Sequence, residues 1–228
     1  MTFSILAFDP AEGLLGMAQA SSPMAVGARC LHLRPGIGVV ASQGSTDPVL
    51  GARLLGPLTR GKTPEAALSA LEGTPLLESR QLGVVDSAGR VAAFTGPGPA
   101  PEKGHLQGEH FVVLGNHLAS PQVLPAMLAA FFAAPRKPCE ARLMAAVIAG
   151  RDAGGDRSGC RSAAIRVAGA DAPPRTDLRV DWLPQGGSAD AVGALDPLLQ
   201  RWIPLIPYHL RRPSDPSVGD WESWSPAP

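Results

Sequence analysis

The chain has 228 residues, 45% hydrophobic and 18% charged, enough to bury a core without help from disulfides or metals. Its 20 Lys and Arg balance its 20 Asp and Glu, and no basic cluster exceeds Arg211-Arg212, which argues against nucleic acid or an anionic membrane as partner. The three cysteines, Cys30, Cys139 and Cys160, lie far apart without a C-x-x-C pair, which argues against a disulfide scaffold and against a zinc site. No leader-like apolar stretch opens the chain and no apolar run is long enough to span a bilayer, so a soluble cytoplasmic protein is expected. Balanced charge gives little colloidal repulsion, which favours self-association, with a homodimer as the expectation.

Thr2 follows Met1 directly and opens a strand-like run, residues 3–8. A small second residue allows removal of Met1, and a terminal threonine would then carry its own base, an α-amine titrating near pH 7.7–8.0, beside its hydroxyl. The run turns at Asp9-Pro10-Ala11-Glu12-Gly13 and returns as residues 14–20, a hairpin pattern that pins the start of the chain in a sheet. Residues 30–33 and 37–43 read as two further strands.

The period then changes. Leu50, Leu54, Leu55 and Leu58 fall on one face of a helix over 48–58. A second helix spans 63–71, with Thr63 as N-cap, Pro64 in the first turn and Gly73 beyond its end. Strands return at 80–86 and 90–95 around a Ser87-Ala88-Gly89 turn. A Pro/Gly loop over 96–108 holds His105, and strand 110–114 leads into Gly115-Asn116-His117. Helices follow at 121–133 and 139–149, then a Gly-rich charged loop at 151–159. Strands at 162–167 and 177–181, a helix at 188–202 weakened by Pro197, and a Pro/Trp-rich arm at 203–228 complete the chain. Strand groups alternating with helix pairs predict an α+β domain over 1–202, with two antiparallel sheets between helix layers.

Several residues qualify as site candidates. Ser4 lies two along from Thr2 and shares its face of the strand. Asn116 follows a strand and a glycine, where its amide would donate to an oxyanion or cap the next helix. His105 and His117 are loop histidines in reach of the same region by order. Asp177 and Asp181 share a strand face, which fits a metal pair less well than an exposed edge with cross-strand partners. No metal and no cofactor is called for.

Taken together, Thr2-Phe3-Ser4-Ile5-Leu6-Ala7-Phe8-Asp9-Pro10, Ala25-Val26-Gly27, the stretch from Gly83 to Gly96, Gly115-Asn116, Ala153-Gly154-Gly155-Asp156-Arg157 and Asp177-Leu178-Arg179-Val180-Asp181 resemble a bacterial family of unknown function with an N-terminal-nucleophile (Ntn) hydrolase fold. That superfamily includes proteasome β-subunits. The resemblance covers residues 2 to about 200 and implies a four-layer α-β-β-α sandwich. It implies Thr2 as nucleophile, the Gly44 N–H and Asn116 as oxyanion donors, Asp156 as the group orienting the amine or hydroxyl, and Ser4, Ser21, Gln43, His105 and His117 as substrate contacts. The expected activity is hydrolysis of a small amide. The chain departs from the pattern in two places. Relatives carry Lys-Phe where this chain has Ser22-Pro23, and the proteasome's buried lysine has Arg29 and Cys30 as its nearest positions. These departures motivate the alternative, an inactive binding or assembly module on the same fold.

Overall fold

The computed structural model describes residues 1–98, 102–170, 173–184, 190–222 and 224. Two antiparallel sheets face one another. The larger contains β1 (Thr2–Asp9), β2 (Leu14–Ser21), β7 (Gly104–Gly108), β8 (Phe111–Asn116), β9 (Ser162–Ala168) and β10 (Thr176–Val180) in the order β10-β9-β2-β1-β8-β7. The smaller holds β3 (Leu31–Arg34), β4 (Gly38–Gly44), β5 (Arg80–Asp86) and β6 (Val91–Thr95) in chain order. Helices α4 (Val123–Phe132), α5 (Cys139–Asp152) and α6 (Ala191–Trp202) cover the outer face of the first sheet. Helices α2 (Val49–Leu58) and α3 (Pro64–Ser69) cover the second. This is the four-layer sandwich expected.

Three apolar layers hold it, and strand alternation explains which residue joins which. Phe3, Ile5 and Ala7 of β1 point to α4 and α5, whereas Leu6 points between the sheets with Leu15, Met17, Val39, Ala41, Val85, Val112 and Leu114. Val40, Leu82 and Val84 of the smaller sheet meet Leu50, Leu54 and Leu58 of α2. Because β1 is covered on both faces, nearly all of it is buried, Thr2 included.

Most predicted elements fall within a residue or two of the observed ones. Thr63 caps α3 by accepting from the Ala66 N–H at 3.2 Å, and Asp86 closes the second hairpin by accepting from the N–H groups of Ala88 and Arg90. Before residue 203, one strand and one α-helix were not anticipated. Residues 104–108, expected as loop, pair with β8 as the edge strand β7. A four-residue helix, α1 (Val26–Arg29), follows Ala25, which adopts φ +59°. Of the helix expected over 188–202, residues 188 and 189 lie outside the described residues. Beyond α6, the expected arm begins as helical turns including α7 (Ile206–Arg211), with Ile206 and Tyr208 buried. No helix among the described residues is long and apolar enough to cross a membrane.

Candidate functional site

Thr2 sits on a strand hydrogen-bonded on both sides, in register with Ser21 of β2 and Asn116 of β8. Its Oγ1 lies 3.0 Å from Ser21 Oγ. The Ser21 hydroxyl has one proton and donates it to the Met1 carbonyl oxygen, so the Thr2 hydroxyl is the donor in the pair.

Two cavities meet at Met1. One, of about 160 Å³, is lined by Thr2, Ser21, Arg29, Cys30 and Gly44. The other, of about 210 Å³, is lined by Gly44, Ser79, Asn116 and His117. Met1 borders both and is 37% exposed, covering Thr2, which is 2% exposed. Among the described residues, Gly44 is the only one besides Met1 that borders both. Its φ of +82° and the 2.8 Å approach a Cβ would make to the Ser79 carbonyl oxygen both require glycine.

Asp156 reaches this end of the sheet through the loop after α5. Gly155 takes φ +56°, its N–H bonds to the Gly150 carbonyl, and a bridge pairs Leu118 with Asp156. Buried at 3% exposure, the carboxylate accepts from the Ser22 N–H at 2.9 Å and the Ser158 N–H at 2.8 Å. It also acts on the terminal amine. Burial pushes that amine below its ordinary pKa of 8.0, and the Asp156 charge opposes the shift. His117 Nδ1 stands 3.5 Å from Asp156 Oδ1, within ion-pair range but without hydrogen-bond geometry.

Beneath Thr2 the layer between the sheets turns from apolar to polar. Ser4 Oγ donates to Gln43 Oε1 at 2.7 Å, and Gln43 Nε2 donates to Gln81 Oε1 at 2.7 Å and to the Thr2 carbonyl at 3.4 Å. Gln81 Oε1 also accepts from Asn116 Nδ2 at 2.9 Å, while its Nε2 shares two hydrogens among three acceptors, the carbonyls of Gly104 and Gly115 and Thr95 Oγ1. His105 Nδ1 lies 2.9 Å from Thr95 Oγ1, and burial pushes its pKa down.

The site candidates therefore separate. Thr2, Ser21, Gly44, Asn116 and His117 line the two cavities, and Asp156 stands behind them. Ser4 and Gln43 do not contact the cavities as expected of substrate contacts: both are 0% exposed and spend their polar atoms tying the sheets together. His105, also expected to touch substrate, is on β7 and bonds Thr95 instead. Asn116 spends one amide hydrogen on Gln81, leaving one for the cavity. Gln81, the hub of the buried network, escaped the sequence reading. Its signal was a glutamine opening the apolar run Leu82-Gly83-Val84-Val85, a counterpart in type of Gln43. Arg29 and Cys30, noted only as the nearest counterparts of an absent lysine, both line the Thr2 cavity. Burial raises the Cys30 pKa and keeps it a thiol, with Sγ 3.4 Å from Thr46 Oγ1.

Other features compete less well. Asp177 pairs with Arg166 at 2.8 Å and Asp181 with Arg179 at 3.2 Å, so each acid already has a cation. A larger hollow of about 440 Å³ at the far end of β1, walled by Phe8, Phe111 and Phe132, has no serine, threonine or cysteine among the described residues that line it, and its Asp9 is held by Arg142 at 3.1 Å.

The fold and this cleft define a four-layer α-β-β-α protein with a threonine at the head of its central strand. Residues 2–189 match the profile of a family described as "Family of unknown function (DUF1028)", and the chain belongs to that family. A solved structure of the same family, protein SPO2555 from Silicibacter pomeroyi, is 37% identical, with a TM-score of 0.80 over 88% of this chain and 85% of that one. Anbu (ancestral beta-subunit) from Yersinia bercovieri is also similar at 13% identity, with a TM-score of 0.41 over 89% of this chain and 96% of that one. No curated protein matches the chain.

Proposed function

We propose that the protein is an amidohydrolase of the Ntn type, with Thr2 as nucleophile once the Met1–Thr2 bond is cut. One observation supports this reading above the rest: Met1 is the shared wall of two cavities and the cover of a threonine hydroxyl already oriented by Ser21. Removing Met1 joins the cavities into one cleft, at the lower end of the roughly 300–1,000 Å³ of ligand pockets.

In that state Thr2 Oγ1 attacks the amide carbonyl and the Thr2 amine takes the hydroxyl proton. The oxyanion is met by the Gly44 N–H and the free amide hydrogen of Asn116. The amine passes its proton to the leaving nitrogen, the C–N bond breaks, and an ester remains on Thr2. Water, deprotonated by the amine, then hydrolyses the ester and restores the hydroxyl. Asp156 holds the amine in place, and Ser21, relieved of the Met1 carbonyl, continues to orient Oγ1.

Intact mass before and after treatment with a neutral β-lactone, on wild type and Thr2→Ala, tests the reading. A chain starting at Thr2 that gains one adduct, absent from Thr2→Ala, is the expected result. Retained Met1, or labelling independent of Thr2, overturns it. The missing lysine favours a second reading, an inactive module on the same fold, which gains if a trimmed chain takes no adduct.

A further inference from the structure

The charges around the cleft do not cancel. The terminal amine is answered by Asp156, and among the described residues no carboxylate lines either cavity. Among the described residues, Arg29 is the one side chain with a permanent charge on their walls. It closes α1 as its last residue, and it forms no salt bridge among the described residues, whereas nearby Arg179 and Arg80 have Asp181 and Asp47. α1 is held firmly above the cavity: Gln19 Nε2 donates to the Val26 carbonyl at 3.0 Å, and Ala25 N–H donates to the Asp181 carbonyl at 2.8 Å. The rest of that cavity's wall sets Pro23, Met24, Val26 and Cys30 beside the hydroxyls of Thr2, Ser21 and Thr46. Arg29 thus borders the cavity from an anchored turn, and its guanidinium, with no salt bridge among the described residues, has two parallel N–H donors to offer a planar anion.

We propose that Arg29 is the anion subsite of this cleft, and that the amide accepted there carries a carboxylate, separated from the reacting amide by a short apolar segment. The substrate class rests on the reading of Thr2 as nucleophile; the subsite itself does not. Two chemistries meet the description: the monoamide of a dicarboxylic acid, with its carboxylate on the acyl side, and an N-acyl amino acid, with its carboxylate on the amine side.

The test uses the full chain and two measurements. The first is calorimetric binding of glutarate and of the uncharged diamide glutaramide to wild type, Arg29→Lys and Arg29→Gln. Glutarate should bind wild type, weaken with added salt, and lose about tenfold or more in Arg29→Gln, the scale of a lost hydrogen bond to a charged group. Arg29→Lys should lose less, and glutaramide should bind none of the three detectably. Arg29 is exposed, so these variants are expected to fold like wild type. Glutarate affinity unchanged in Arg29→Gln, or glutaramide binding as well as glutarate, overturns the subsite. The second measurement follows hydrolysis of glutaramate and of N-acetylglycine, each beside its methyl ester, by wild type. Turnover of one acid at least tenfold above its ester supports the substrate class and decides which side carries the carboxylate; equal turnover of acid and ester overturns that class. Wild-type labelling by the neutral β-lactone separates the two readings. Arg29-dependent glutarate binding without a Thr2 adduct leaves the subsite and removes the hydrolase; an adduct without carboxylate preference does the reverse.

Discussion

At the scale of single residues, the site depends on a few groups with no slack. The Thr2 amine must be neutral to accept a proton, so activity should rise with pH through its pKa. In the untrimmed chain burial lowers the pKa of the Met1 amine and Asp156 raises it; the same balance acting on the Thr2 amine that trimming exposes would put the acidic limb below the 8.0 of a free amine. Asp156→Asn removes the opposing charge while keeping one oxygen for the Ser22 or Ser158 N–H. The limb should then move to lower pH in a pH–rate profile, and a limb that stays put or moves up would refute the assignment. Gly44→Ala places a Cβ at φ +82° and 2.8 Å from the Ser79 oxygen, and should cost about 1–3 kcal/mol, readable as a lower Tm. The candidates Thr2, Gly44 and Asp156 could be picked out in the sequence, and their meeting at one end of the sheets is what the structure adds, because chain position, a strand-end glycine and a Gly-Gly turn are local signals. The roles of Ser4 and Gln43 were not, since alternation along a strand assigns a face without saying whether a second sheet covers it.

At the scale of elements, the cleft floor is the polar end of an otherwise apolar layer between sheets. Gln81 binds it together, accepting from Gln43 and Asn116 and donating to β7, β8 and Thr95. Gln81→Leu strands several buried polar atoms at about 1–3 kcal/mol each, and should destabilise the protein by at least about 3 kcal/mol in urea unfolding. A loss below 1 kcal/mol, judged against the same scale, would mean that the network carries little of the stability. The elements around the site differed in how readily they could be read. β1, β2, β4, β5 and β8 announce themselves through β-branched and aliphatic runs between turn residues. β7 does not, because Gly-His-Leu-Gln-Gly has no apolar period and owes its strand form to pairing with β8. α1 is a single turn held by tertiary contacts, too short for any periodic signal.

Across the whole molecule, stability rests on ties between layers distant in sequence. Glu140 of α5, fully buried, accepts from Arg175 at 2.7 and 2.9 Å and from Thr176 at 3.2 Å, while Trp202 at the end of α6 donates to the Arg175 carbonyl. Arg175 is partly buried and keeps Glu12 at 3.1 Å, so Glu140→Ala loses the hydrogen bonds from Arg175 and Thr176 without stranding an unpaired charge and should cost about 1–3 kcal/mol. Denaturant unfolding checks this, and a loss within 0.5 kcal/mol, the range of an ordinary surface substitution, would show the pair to be incidental. Such ties join residues some 35 apart in the chain and left no trace in local pattern, whereas the layer order followed from how strands and helices alternate. The position of Thr2 on β1 has a further consequence. Its strand is flanked by β2 and β8 and covered on both faces, so β1 has no route to open that spares the rest of the domain. Amide hydrogens along β1 should exchange with deuterium only through global unfolding, and the Thr2 hydroxyl should keep its geometry until the protein itself melts. Heating would then erase labelling and structure together in one cooperative step.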